Sequence, residues 1–138
     1  MPLMNWTPEL DIGVEAMNHE HRQILDAMND VFDADAAGVS GPAMMAKIGK
    51  LADVTTRHFV DEERFMDQVG FPGREAHKSM HAKLLTDFGR HAKAAEAAGG
   101  KPSREFFQFL MLWLSAHIKH IDRKYGDHAN AATGARAA

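Results

Sequence analysis

Six residues fall into three pairs at spacings that allow joint chemistry: His58 with Glu62, His77 with His81, and His117 with Asp122. His21 stands upstream as a seventh candidate. Imidazole nitrogen suits iron and related metals, and a carboxylate has two oxygens with which to bridge two cations. Five imidazoles and two carboxylates therefore form a suitable ligand set for a pair of iron ions. Residues four apart on an α-helix differ by about 40° around its axis, so His58 and Glu62 share a face, as do His77 and His81. His117 and Asp122 fit less well, because five residues turn a helix about 140° past one full turn. Either Asp122 reaches across, or the helix is locally widened into a π-turn, a feature common at functional sites. On spacing alone His120 is a rival for either position.

Positioning these side chains takes four helices, and the sequence has four segments with inward residues at steps of three and four. The first runs from Val14 through Met17, His21, Ile24, Leu25, Met28, Val31 and Phe32, and fades near Gly38. Ser40-Gly41-Pro42 opens the second, with Met44, Ile48, Leu51, Thr55, His58, Glu62, Phe65 and Met66 on one stripe, and Gly70-Phe71-Pro72-Gly73 ends it. The third carries His77, His81, Leu84, Phe88 and Ala95 and stops at Gly99-Gly100. Lys101-Pro102-Ser103 opens the fourth, which repeats the pattern at Phe106, Leu110, Trp113, His117 and Ile121. Nothing reads as a strand. The pattern predicts an all-α fold: an antiparallel, up-down-up-down four-helix bundle with an N-terminal arm over residues 1–12. One domain is expected over 1–125. Residues 126–138, rich in Ala and Gly, are expected to form a flexible tail.

Composition narrows the function classes. The chain has 138 residues, enough for one domain with a real core. It is 45% hydrophobic and 25% charged, ordinary for a globular protein. Net charge is -3 with Lys and Arg scattered, which argues against a nucleic-acid partner. There is no cysteine, so thiolate metal sites, disulfides and thiol catalysis are excluded. No run reaches the roughly 20 apolar residues of a membrane span, and Met1 to Asp11 lacks the features of a signal peptide. A cytoplasmic location is therefore expected.

Taken singly, each candidate has an ordinary reading. His21 alone reads as a hydrogen-bonded core residue, His58 with Glu62 as a surface pair, and His77 with His81 as a chance pair or an adventitious metal site. The combination is more specific, because four helices each place such a residue on the inward face. Burying each unsatisfied polar group costs ~1–3 kcal/mol, and a shared metal removes that cost.

Longer stretches extend the pattern: Trp6-Thr7-Pro8 with Gly13-Val14, His58-Phe59-Val60-Asp61-Glu62-Glu63, His77 and His81, then Trp113-Leu114-Ser115-Ala116-His117-Ile118 followed by Asp122. From Trp6 to about Tyr125 the chain resembles the hemerythrin-like family, in its stand-alone, single-domain bacterial form. The family's last-helix His–Asp spacing is five, so the resemblance selects His117 and Asp122 over His120. It implies one iron held by His77, His81 and His117, and another by His21 and His58. Glu62 and Asp122 would bridge the two, with an oxo or hydroxo third bridge. The iron with two histidines keeps an open position for O2, lined by Ile24, Phe59, Met66, Trp113 and Leu114, which also read as bundle core. The function implied is reversible O2 binding for storage, transport or delivery by a non-enzyme, with O2 as ligand. Alternatives are a di-iron enzyme acting on peroxide or nitric oxide, and an oxygen, redox or iron sensor working through a partner. Length and a single bundle are compatible with a monomer, and a protein recipient is unidentified.

Ligand chemistry separates the chain from carboxylate-rich di-iron bundles, whose paired Glu-x-x-His motifs it lacks. A histidine-rich set carries less negative charge and favours the ferrous state, hence binding oxygen over activating it. The chain departs from the family near His21, where Asn18 and Glu20 replace the common Asp and Gln. His19 is expected to face solvent, and His91 lies too far along its helix to join the cluster. His120 and His128 are expected at the surface and in the tail. Glu63 is a possible bridging substitute for Glu62 but points about 100° away.

Overall fold

In the computed structural model, which describes residues 3–133, a short arm precedes a set of long helices. The arm holds a 3-10 turn over Pro8–Leu10. Helices α1 (Glu15–Ala36), α2 (Gly41–Gln68), α3 (Arg74–Ala97) and α4 (Arg104–Ala116) follow. The last continues through a π-helical turn, His117–Asp122, into α5 (Arg123–Thr133). Helix α1 packs mainly on α2, and α2 on α3. Short connections between neighbours are what an up-and-down bundle requires. No strand occurs among the described residues, and no helix among them is long and apolar enough to cross a membrane.

Local chemistry explains where the helices begin and end. The Ser103 hydroxyl caps α4 by accepting from the Phe106 N–H at 3.1 Å, one of the orphan donors at a helix start. Gly100, after α3, has φ of 80°, a conformation that glycine adopts without strain. A Cβ there would also lie 2.2 Å from the Gly41 nitrogen, so the α3–α4 turn rests directly on the start of α2. Gly41 N–H donates to the Gly99 carbonyl at 2.9 Å across the same approach.

The bundle interior is divided lengthwise. Val31, Met44, Ile48, Phe88, Phe106 and Leu110 fill one end and are buried. Each such side chain contributes roughly 1.5–3 kcal/mol by leaving water. The other end gathers the buried polar residues: His21 near the start of α1, His58 and Glu62 late in α2, His77 and His81 early in α3, and His117 and Asp122 beyond α4. Alternating helix direction brings these four stretches level. The apolar end thus fixes the spacing at which the polar end must work.

The arm is fastened at several points. Met4 N–H donates to Asn29 Oδ1 at 3.0 Å, and Asn29 Nδ2 donates back to the Met4 carbonyl at 2.8 Å. Buried Asn18 accepts from Ile12 N–H at 3.1 Å and donates to Asp11 at 2.8 Å. The Arg22 guanidinium lies 4.4 Å above the Trp6 ring. The Arg123 guanidinium donates to the Glu9 carbonyl.

The expectation of a flexible tail from Gly126 is corrected for residues 126–133, which continue the helix as part of α5. Ala129 is buried, and His128 donates to the Val69 carbonyl at 3.0 Å while packing its ring against Phe71. A Cβ on Gly126 would lie 2.2 Å from the Ile12 carbonyl oxygen, so only a residue without a side chain lets the arm lie this close. Small residues are helix-compatible and close-packing here, which composition alone does not distinguish from a frayed end. The rest of the expected tail, 134–138, lies outside the described residues.

Candidate metal centre

The five histidines converge through their Nε2 atoms on two carboxylates. Glu62 Oε1 lies 2.9 Å from His81 Nε2 and 3.1 Å from His77 Nε2. Its other oxygen, Oε2, lies 2.9 Å from His58 Nε2 and 3.4 Å from His21 Nε2. Asp122 divides its oxygens the same way: Oδ1 is 2.9 Å from His117 and 3.0 Å from His77, and Oδ2 is 3.0 Å from His21. All seven residues are buried. They form two overlapping donor sets, Glu62, His77, His81, His117 and Asp122 on one side and His21, His58, Glu62 and Asp122 on the other.

The π-turn is what brings Asp122 in. An α-helical register would carry it away from His117, but the wider turn over His117–Asp122 returns both to the same side. Of the two possibilities open on spacing, the local widening is the one found. His120 is exposed on that turn and takes no part.

Donor geometry fits a pair of cations. Two donors held about 2.1 Å from one ion at right angles lie about 3.0 Å apart. Most of the nitrogen–oxygen distances above match that value. His77 Nε2 and His117 Nε2 face each other at 3.1 Å, which calls for a shared proton or a shared cation. His21 Nε2, His81 Nε2 and Asp122 Oδ1 are buried without a properly directed hydrogen-bond partner. Buried polar atoms are rarely left so, and a metal would satisfy all three.

In the metal-free chain, protons take the place of cations. Burial disfavours a charged His58, but Glu62 and Glu20 outweigh it and raise its pKa to about 10. Burial opposes charge on His77 as well, and Asp122 and Glu62 carry it to about 9. For Glu62 burial acts upward, yet His58, His21 and His77 hold its carboxyl well below the usual range. Asp122 is lowered too, because His117 and His21 overcome burial and the neighbouring Glu62 charge. Metal binding at this site must therefore displace protons.

Around the donors, Phe59 stacks on His81 with ring centroids 3.8 Å apart and also touches the rings of His58, His117 and Trp113. Ile24, Met66 and Leu114, the other expected pocket residues, are buried about one helical turn from His21, Glu62 and His117 respectively. His19 is exposed, as expected. His91 lies away from the cluster, stacked beside Phe106 and Phe109.

The sequence reading assigns no role to Tyr125 or Glu20, two residues near the donors, and offers a third, Glu63, only as a bridging substitute for Glu62. Tyr125, buried, donates its hydroxyl to Glu62 Oε2 at 2.6 Å, and burial with the nearby Glu62 charge pushes its own pKa well up. It is the chain's single tyrosine and stands three residues after Asp122, a same-face helical spacing that was available as a signal. Glu20 accepts from His58 Nδ1 at 2.7 Å, and Glu63 accepts from His81 Nδ1 at 2.9 Å. Glu63 thus sits behind an imidazole and does not replace Glu62. Asn18 fastens the arm.

Comparison with known proteins agrees with this geometry. The family described as Hemerythrin HHE cation binding domain matches residues 12–129. A bacteriohemerythrin of Stenotrophomonas maltophilia is 30% identical over 131 residues, covering 95% of this chain and 84% of that protein. One from Methylococcus capsulatus is 31% identical over 91% of this chain and 96% of its own length. The myohemerythrin of Sipunculus nudus is 31% identical over 87% of this chain and 88% of its own length. A crystal structure of wild-type hemerythrin superposes with a TM-score of 0.81 at 28% identity, covering 92% of this chain and 98% of that one. With the four-helix architecture, the converging donors and a match across most of its length in agreement, the chain belongs to the hemerythrin family.

Proposed function

We propose that the chain is a non-haem di-iron protein that binds O2 reversibly at the two-histidine half of its centre. His77, His81 and His117 would hold one iron and His21 and His58 the other, with Glu62 and Asp122 shared. The observation that carries this reading is the division of each carboxylate, one oxygen toward each group of imidazoles. Two ferrous ions held this way would supply the two electrons that O2 takes on binding and returns on release.

The chain's own residues account for the rest. Three imidazoles crowd one half and two the other, so only the second keeps room for a small ligand. Ile24, Phe59, Met66, Trp113 and Leu114 are buried around the donors, and an apolar lining slows entry of water and protons. That favours release of O2 unchanged over its conversion, so we read the protein as a carrier or store and not an enzyme. The similarity to relatives named bacteriohemerythrin and myohemerythrin supports this reading. Storage or delivery by a cytoplasmic monomer is part of the same proposal.

The test is a spectral titration of the anaerobically reduced protein with O2, followed by argon, with iron counted in the same sample. Two irons per chain and a visible band that appears with O2 and fades under argon are expected. Immediate, irreversible oxidation would overturn the carrier reading, and steady turnover of peroxide or nitric oxide would put an enzyme in its place.

A further inference from the structure

We propose that Glu20 and Glu63 are positioning residues, one for each half of the centre, that fix the imidazoles of His58 and His81 and balance the charge of two divalent ions. This inference rests on the di-iron reading above. Glu20 Oε1 is 2.7 Å from His58 Nδ1, and Glu63 Oε2 is 2.9 Å from His81 Nδ1. A carboxylate at these distances accepts, so each Nδ1 carries a proton, and with a metal bound each Nε2 would turn its lone pair to the interior. Those two Nε2 atoms lie 2.9 Å from opposite oxygens of Glu62. The Nδ1 atoms of His21 and His77 are buried with no hydrogen-bond partner. Each donor set thus contains one histidine held from behind by a carboxylate.

Both contacts cross a helix–helix boundary. Glu20 lies on α1 and reaches His58 on α2, while Glu63 lies on α2 and reaches His81 on α3. They set the ring orientation of a ligand and the register of neighbouring helices together. Hydrogen bonds to ionised groups are stronger than neutral ones, and a carboxylate behind a ligating imidazole fixes its orientation and raises its basicity.

Charge gives the second argument. Two divalent ions bring four positive charges into a buried layer, and neutral histidines offset none of them. Glu62 and Asp122 supply two negative charges, the expected oxo or hydroxo bridge adds to them, and Glu20 and Glu63 bring two more just behind the imidazoles. Uncompensated charge is costly where water is excluded. The outer pair is only partly exposed, with Glu20 at 21% and Glu63 at 32%, close enough to the interior for its charge to be felt. The outer carboxylates therefore raise ligand basicity and hold the iron potential down.

The experiment compares the parent with Glu20→Gln and Glu63→Gln. Gln keeps an oxygen acceptor and removes the charge, and Ala versions remove both. Metal-free proteins are titrated with Fe(II) under argon against a competing chelator, and the midpoint potential of the loaded proteins is measured. Each Gln variant is expected to bind one of its two ions about 10–100-fold more weakly, to show a raised potential, and to retain the parent's far-ultraviolet circular dichroism. The Ala versions should lose at least as much affinity. Parent-like affinity for both ions together with an unchanged potential in both Gln variants would overturn the inference. A parent that fails to take up two irons would instead overturn the di-iron reading, so the two failures are distinguishable.

Discussion

The two halves of the centre share Glu62 and Asp122 but are built differently. The three-histidine half draws two ligands from one helix, because His77 and His81 stand one turn apart on α3, and takes its third from the π-turn. The two-histidine half takes one ligand each from α1 and α2. One more inward-facing helical turn on α3 thus accounts for the unequal number of imidazoles. Tyr125 extends it, since its hydroxyl occupies Glu62 Oε2, the oxygen on the two-histidine side. A bridging carboxylate with only one oxygen so engaged is unequal toward its two ions even before O2 arrives. The number of imidazoles and the hydrogen bonding differ between the halves in the same sense, in keeping with the proposed open side at His21 and His58.

Replacing a shared residue should have the largest effect. Asp122→Ala is expected to lose both irons and all O2-dependent absorption, read by iron analysis and visible spectroscopy. His58→Ala should lose the open half alone, leaving one iron per chain and no O2 band. Equal loss of both ions in His58→Ala would mean that the halves do not assemble separately.

A smaller effect is expected from Tyr125→Phe, which leaves Glu62 Oε2 without its hydroxyl donor. A hydrogen bond to a charged group contributes ~1.5–3 kcal/mol, and urea unfolding of the metal-free protein should show a loss of that order. An unchanged midpoint would show that the hydroxyl contributes nothing to holding Glu62.

The mildest test uses pH. His58 and His77 have folded-state values of about 10 and about 9, above the unfolded value near 6.5. Their contribution to metal-free stability is fully present below about pH 6.5 and is lost as pH rises through about 9 to 10. Glu62 and Asp122 are shifted down, so their contribution holds above the usual carboxylate range and is lost only at lower pH. The melting temperature of the metal-free protein should therefore fall on the alkaline side. His58 belongs to one half and His77 to the other, so imidazole resonances from both halves should move together with that loss. Movement of one alone would assign the pH effect to a single half.

Much of this was legible in the sequence because helices repeat. Steps of three and four gave the four helices, and the pairs His58–Glu62 and His77–His81 inherited their shared faces from the same period. The method fails where the period does. At His117–Asp122 the backbone leaves the α-helical register, and only the resemblance favoured Asp122 over His120. Glu20 and Glu63 act across helix boundaries from the edges of their stripes, a relation that periodicity within one helix does not encode. Residues 126–133 were misread for a similar reason. Their anchoring depends on Gly126 lying against Ile12, a contact between distant parts of the chain.

That contact bears on how the molecule is assembled. Arg123 with Glu9 and Asn130 with Gly13 close the chain over 114 and 117 residues, whereas neighbouring helices meet across short turns. Closing a longer loop costs more entropy, and distant contacts form after local ones. The arm's bonds to α1, such as Met4 with Asn29 over 25 residues, can form early, whereas its bonds to the helix beyond Asp122 wait for the far end of the chain.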